Sequence, residues 1–272
     1  MTSGFMQFVQ SKRSIIQGDR DFVRVVYHSV IRSNNGGNEL AVYLADRMPF
    51  FYREPSKIIE ALSSQYFVST VKETLARLPD SATFQESHFA EISSAIFCEE
   101  VLGLKRLYSK LSLLTAENTN PHKMDILFCN PCVDPVEFIL CEVKSSMKCA
   151  AEGLPPGHDK SCFADLFRSF NKYQEKDLEF DLAAAKDRIE VLPTSQRNKI
   201  LSSLEPYAER SLKYAGFIVI DSGTKDDSEI NILGTRKNDK KFDVDLVSVE
   251  SLRNVAERSY QILKEIRDKC TP

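Results

Sequence analysis

Two short apolar segments, KMDILFC at 123–129 and VEFILCEVK at 136–144, are separated only by NPCVDP, and their closeness narrows the possible folds sharply. Both have strand length, and the two prolines and Asp134 between them suit a connecting turn, so the segments should pair as an antiparallel hairpin. Around this hairpin the hydrophobic period changes repeatedly. A strand is predicted at 21–28, a turn at NNGG (34–37), and helices over 38–52, 56–78 and 85–103, with Pro49 and Pro55 as breaks. LKRLYSKLSLL, from Leu104, reads as a further short helical piece. After the hairpin come charged helical stretches at 162–190 and 195–213, strands at 215–221 and 243–249, and a closing amphipathic helix at 250–268. This order predicts an α/β protein, a mixed central sheet flanked by helices. A division near residue 80 would separate an N-terminal strand and helices (1–80) from the remainder (81–272); a single continuous domain is the alternative.

No apolar run approaches the ~20 residues that a bilayer demands. The N-terminus, MTSGFMQFVQSKRS, lacks the basic start, apolar stretch and cleavage site of a leader, so a cytoplasmic location without a membrane partner is expected. Seven cysteines scattered over 272 residues favour reduced thiols over a disulfide framework. The net charge of −3 argues against a general nucleic-acid coat and leaves room for a local basic groove.

The second hairpin strand carries an unusual pattern. Side chains alternate across a strand, so Phe138, Leu140, Glu142 and Lys144 share a face on which apolar gives way to charged. If the hairpin is symmetrical about Val133 and Asp134, Asp125 falls opposite Glu142. Facing carboxylates repel unless a cation or a proton lies between them. Lys144 alone could neutralise one of them as a plain ion pair. A divalent ion on both carboxylates, with a lysine beside its water, is the arrangement for phosphodiester hydrolysis. A third acid lies upstream: Glu91 shares a helical stripe with His88, Ala95, Cys98 and Leu102 and should face the interior, whereas Glu86, Glu99 and Glu100 should face water.

Glu91 on a helix, Asp125 on a strand and Glu142-x-Lys144 on the next resemble the PD-(D/E)xK nuclease superfamily. More narrowly, HFAEISSAIFCEEVLG, KMDILF and FILCEVKSS, followed by a long charged helix, resemble the HamA subunit of the Hachiman antiphage defence system, most closely over residues 85–190. Here Lys123 and Met124, not a proline, precede Asp125. The resemblance implies a restriction-endonuclease-like core and a Mg²⁺-dependent (or Mn²⁺-dependent) DNA nuclease of bacterial cytoplasm, working with a helicase subunit, HamB. It also implies that Glu91, Asp125 and Glu142 are metal ligands and Lys144 the catalytic lysine.

Lys148, Lys160, Arg168 and Lys172 could hold phosphates near such a site. The plainer account makes Arg168 and Lys172, near Asp165 and Glu175, a solvated ion-pair face. Cys129 and Cys132 form a CxxC with Cys141 and Cys149 beyond, which suits core packing better than zinc. His88 could support Glu91 from behind. Two other functions compete with the nuclease: a catalytically inactive adaptor of nuclease-like fold that binds nucleic acid or a helicase, and a restriction-type endonuclease that reads its own sequence.

Overall fold

The computed structural model describes residues 4–15, 23–33, 36–53, 55–62, 64, 66–113, 124–146, 162–186, 189, 194–205, 208–223 and 242–270. A seven-stranded mixed sheet has the order β1 (Val9–Ile15), β2 (Val23–Val30), β7 (Phe242–Val249), β6 (Ser211–Asp221), β5 (Glu137–Ser146), β4 (Ile126–Asn130), β3 (Lys105–Ser109). Strands β2, β7, β6 and β5 run parallel, while β1, β3 and β4 are antiparallel to their neighbours. The parallel pairing of β2 with β7 joins the beginning of the chain to its end. Among the described residues no helix is long and apolar enough to cross a membrane.

Helices cover both faces, as parallel strands require. On one face α5 (Ala82–Glu100) lies against β5, with α1 (Glu39–Arg47) and α9 (Leu252–Lys269) packed beside it. Its core joins Phe89, Ile92 and Ile96 to Ile139, Cys141 and Val143. On the other face α6 (Cys162–Lys172), α7 (Glu175–Lys186) and α8 (Thr194–Leu204) enclose Phe163, Leu166 and Phe167 with Leu127, Phe138 and Leu140. The short α2 (Pro49–Tyr52), α3 (Pro55–Leu62) and α4 (Phe67–Leu75) complete the set. Helix α5 is buried on every side from His88 to Cys98, and Gly103, at φ +70, allows the chain to turn into β3 after it.

Several elements differ from the sequence expectation. LKRLYSKLSLL is strand β3 followed by a 3-10 turn, Lys110–Leu113, because Leu107 and Tyr108 are buried against β4. The helix expected over 56–78 is two, α3 and α4, and that over 162–190 is α6 and α7, parted at Tyr173 and Gln174. The helix expected to reach 213 stops at Leu204, and Ser211 already belongs to β6. Strand β1, VQSKRSI, has the charged sequence that edge strands tolerate and carries no periodic signal.

One close approach fixes the α6 layer. A Cβ on Gly216 of β6 would lie 2.3 Å from Leu166 Cδ2, so the absent side chain lets α6 press on the sheet beside Glu142, the β5 partner of Gly216. Gly216→Val should therefore cost about 3 kcal/mol by overpacking. Urea unfolding would measure it, and an unchanged midpoint would show that the layer yields.

Candidate active site

The site is a row of charged residues across three adjacent strands. Register β4–β5 pairs Ile126 with Cys141, as hairpin symmetry predicts, and Asp125, the residue before β4, sits beside Glu142 with its carboxylate on the Val143 N–H. On the other side of Asp125, the backbone N–H of Lys110 donates to the Asp125 carbonyl at 2.9 Å. The residue after β3, the residue before β4 and the outgoing part of β5 thus bring Lys110, Asp125 and Glu142 to one end of the sheet. A register shift between Arg106 and Tyr108 in β3 brings Lys110 into line.

Each carboxylate has a defined environment. Asp125, 2% exposed, accepts the Val143 N–H on Oδ2 at 2.6 Å and the Lys110 ammonium on Oδ1. Glu142 Oε1 accepts from Lys144 Nζ at 2.6 Å. Glu91 comes from α5, in the layer on the opposite face, and its Oε1 is 3.2 Å from Lys110 Nζ. Its Oε2 is buried without a hydrogen-bond partner. Lys110 therefore ties α5 to the sheet, and its side chain is only 11% exposed.

Three carboxylates meet two ammonium groups, so ionising all three acids would leave one negative charge over in a dry place. Burial pushes the Glu91 carboxyl up to about 8, with Lys110 pulling it down and Asp125 pushing further up. Glu142 is likewise raised, by burial and then by Asp125, against the pull of Lys144. Burial opposes charge on both lysines, but the carboxylates outweigh it: Asp125 and then Glu91 hold Lys110 above the ordinary lysine range, and Glu142 and then Asp125 do so for Lys144. The site is thus poised to take up positive charge.

A buried polar chain stands behind Glu91. His88, one turn earlier, has Nδ1 3.0 Å from the Tyr52 hydroxyl, which lies 3.3 Å from the Tyr260 hydroxyl, and Tyr260 donates to the Gln85 carbonyl at 3.2 Å. Burial, and then the Lys110 charge, lowers His88 to about 4, so it stays neutral. These contacts tie α5 to α2 and α9 and fix the turn that presents Glu91.

Stability falls with rising pH wherever the folded state holds more protons than the unfolded one. Glu91 acts in that sense between its ordinary 4.5 and about 8. His88 acts in the opposite sense between about 4 and its ordinary 6.5. They oppose each other in the lower range, and from 6.5 to 8 the Glu91 carboxyl acts without His88. The metal-free protein should lose stability there, by up to about 1.4 kcal/mol per pH unit for each such proton. Glu91→Gln should flatten that decline in urea unfolding with EDTA. An identical slope in the variant would mean that Glu91 is ionised throughout.

The structure thus brings Glu91, Asp125, Glu142 and Lys144 together and adds Lys110, Tyr52 and Tyr260, which sequence reasoning missed. Nothing local marks Lys110, which opens a 3-10 turn between buried Tyr108 and buried Leu111. Arg168 pairs with Asp165 at 3.1 Å on a half-exposed part of α6, and Lys172 is exposed at that helix's end. Arg168 matches the ion-pair account better than a phosphate contact. Lys148, Lys160 and Cys149 lie outside the described residues. Cys129 and Cys141 belong to opposite faces of the sheet, which separates them, and Cys132 is exposed. Glu100 is exposed, as expected, and from there accepts the Phe5 N–H at 2.5 Å and pairs with Arg47 at 3.2 Å. Among the described residues no three His, Cys, Asp or Glu side chains converge tightly enough to form a metal cage. The ammonium of Lys110 lies between Glu91 and Asp125 instead.

In comparisons with known proteins, the family model described as HamA matches residues 5–263. No curated protein matches the chain.

Proposed function

The chain belongs to the HamA family of antiphage defence proteins, and on that premise we propose that it is a metal-dependent DNA nuclease that works with a helicase subunit. The observation that supports this most is the row itself. Asp125 and Glu142 lie at the same end of the sheet as Lys144, near enough for Asp125 to raise the Glu142 carboxyl, and Glu91 offers a buried oxygen with no partner. That pattern resembles the PD-(D/E)xK arrangement.

The donor set suits a hard divalent ion: carboxylate oxygens only, one acid more than the two lysines balance when all are ionised, and one oxygen orphaned. Glu91, Asp125 and Glu142 would hold Mg²⁺ or Mn²⁺, which supplies charge stabilisation on a phosphate and a water of lowered pKa. The chain's own groups do the rest. Lys144, a quarter exposed, presents its ammonium to solvent and to an incoming phosphodiester while Glu142 orients it. The Val143 N–H fixes the rotation of the Asp125 carboxylate.

One observation favours a second reading, the inactive adaptor. Lys110 and Lys144 already engage all three acids, as a structural network would require. Purified protein incubated with linear and circular DNA in Mg²⁺, Mn²⁺ or EDTA, with and without the helicase, separates the two. A nuclease should show metal-dependent cleavage that Glu142→Ala and Lys144→Ala both lose. Equal products from wild type and both variants would remove that reading. Discrete fragments that form without the helicase would point to a restriction-type enzyme.

A further inference from the structure

We propose that Lys110 is a positioning residue whose ammonium stands in for the divalent ion in the metal-free protein, and that an ion enters the site by displacing it; this rests on the metal-dependent reading above. Lys110 Nζ lies 3.2 Å from Glu91 Oε1 and contacts Asp125 Oδ1, so it holds carboxylates from two layers of the fold. These are two of the three acids that the ion would need, and no cage of acids forms among the described residues while Lys110 is there.

The arrangement solves a folding problem. Glu91 and Asp125 are 3% and 2% exposed, and two ionised carboxylates so buried repel across the α5–sheet interface unless a cation lies between them or one takes up a proton. A lysine built into the chain supplies that cation before any metal arrives. Its backbone is fixed by the bond to the Asp125 carbonyl, so exchange requires only the side chain to move. Lys144 has no such function, because it engages Glu142 from the more exposed side of the row.

The consequence is a built-in competitor. With Lys110 in place on Glu91 and Asp125, a divalent ion must replace a bound charge as well as shed water, which weakens metal affinity. The site then demands a higher concentration of free metal, and any contact that draws Lys110 away would sensitise it.

The test uses Mn²⁺ titrated into the metal-free full chain, with free Mn²⁺ followed by its paramagnetic resonance, for wild type, Lys110→Gln and Lys110→Arg. Lys110→Gln should bind Mn²⁺ about tenfold more tightly than wild type, and Lys110→Arg, which keeps the charge, should not. A second measurement needs no variant. Acylation of wild-type amines, read residue by residue by mass spectrometry, should find Lys110 protected in EDTA and modified several-fold faster with saturating Mn²⁺, while exposed Lys213 is unchanged. Equal Mn²⁺ affinity in wild type and Lys110→Gln, or Lys110 equally protected with Mn²⁺ bound, would overturn the proposal and leave the metal site standing. No Mn²⁺ binding to any of the three proteins would overturn both.

Discussion

Glu142→Gln should lower DNA cleavage about a thousandfold while leaving the melting temperature equal to or above that of wild type, a divergence that a structural residue would not produce. The reason is that Glu142 is a liability to the fold. Burial and the nearby Asp125 both push its carboxyl up, so its charged form is disfavoured where it stands. A neutral amide of the same shape relieves that repulsion. It can still accept from Lys144, whose side chain is 25% exposed and can turn to water if it must. The amide cannot supply the negative charge that a divalent ion needs. Rates measured over a range of Mg²⁺ concentrations beside thermal unfolding in EDTA give both numbers. A variant that loses stability and activity together would make Glu142 a core residue.

Asp125→Ala should do what Glu142→Gln does not: abolish cleavage and also destabilise the protein by about 3–5 kcal/mol in urea unfolding. Asp125 closes two buried interactions at once, the Val143 N–H at 2.6 Å and the Lys110 ammonium. Its removal leaves a nearly buried lysine facing Glu91 alone and strands a backbone donor in the core of the sheet. Asp125→Ala combined with Lys110→Met should recover much of the loss, because the unpaired charge departs with its partner. Recovery of stability without recovery of activity would separate the two roles of Asp125.

Much of this site is legible in the amino-acid sequence. Pairing of the two apolar segments across NPCVDP sets the hairpin register, Ile126 opposite Cys141, and so brings Asp125, just before β4, to the part of β5 that carries Glu142. The inward setting of Glu91 follows from its place on an apolar helical stripe, although α5 is so thoroughly enclosed that its period alone says little from His88 to Cys98. Lys110 is not legible, for two physical reasons. The strand before it is short and charged at the start, with Lys105 and Arg106 leading it, so local periodicity favours a helix. Its alignment with Asp125 then depends on a register shift, which is set by pairing with β4 rather than by β3's own residues.

The same limit applies elsewhere. The polar opening of β6, Ser211–Tyr214, becomes strand because β5 lies beside it, and the charged edge strand β1 exists because β2 offers it a free side. Tyr52, His88 and Tyr260 meet although 208 residues separate the first and last of them, a contact that no local pattern encodes.

Anomalous scattering from crystals soaked in Mn²⁺ would locate the ion itself. A peak touching the carboxylates of Asp125 and Glu142 is expected, with the Lys110 ammonium withdrawn from Asp125. No peak there at Mn²⁺ concentrations that support cleavage, with Lys110 still bridging Glu91 and Asp125, would contradict a metal-dependent site built on this row.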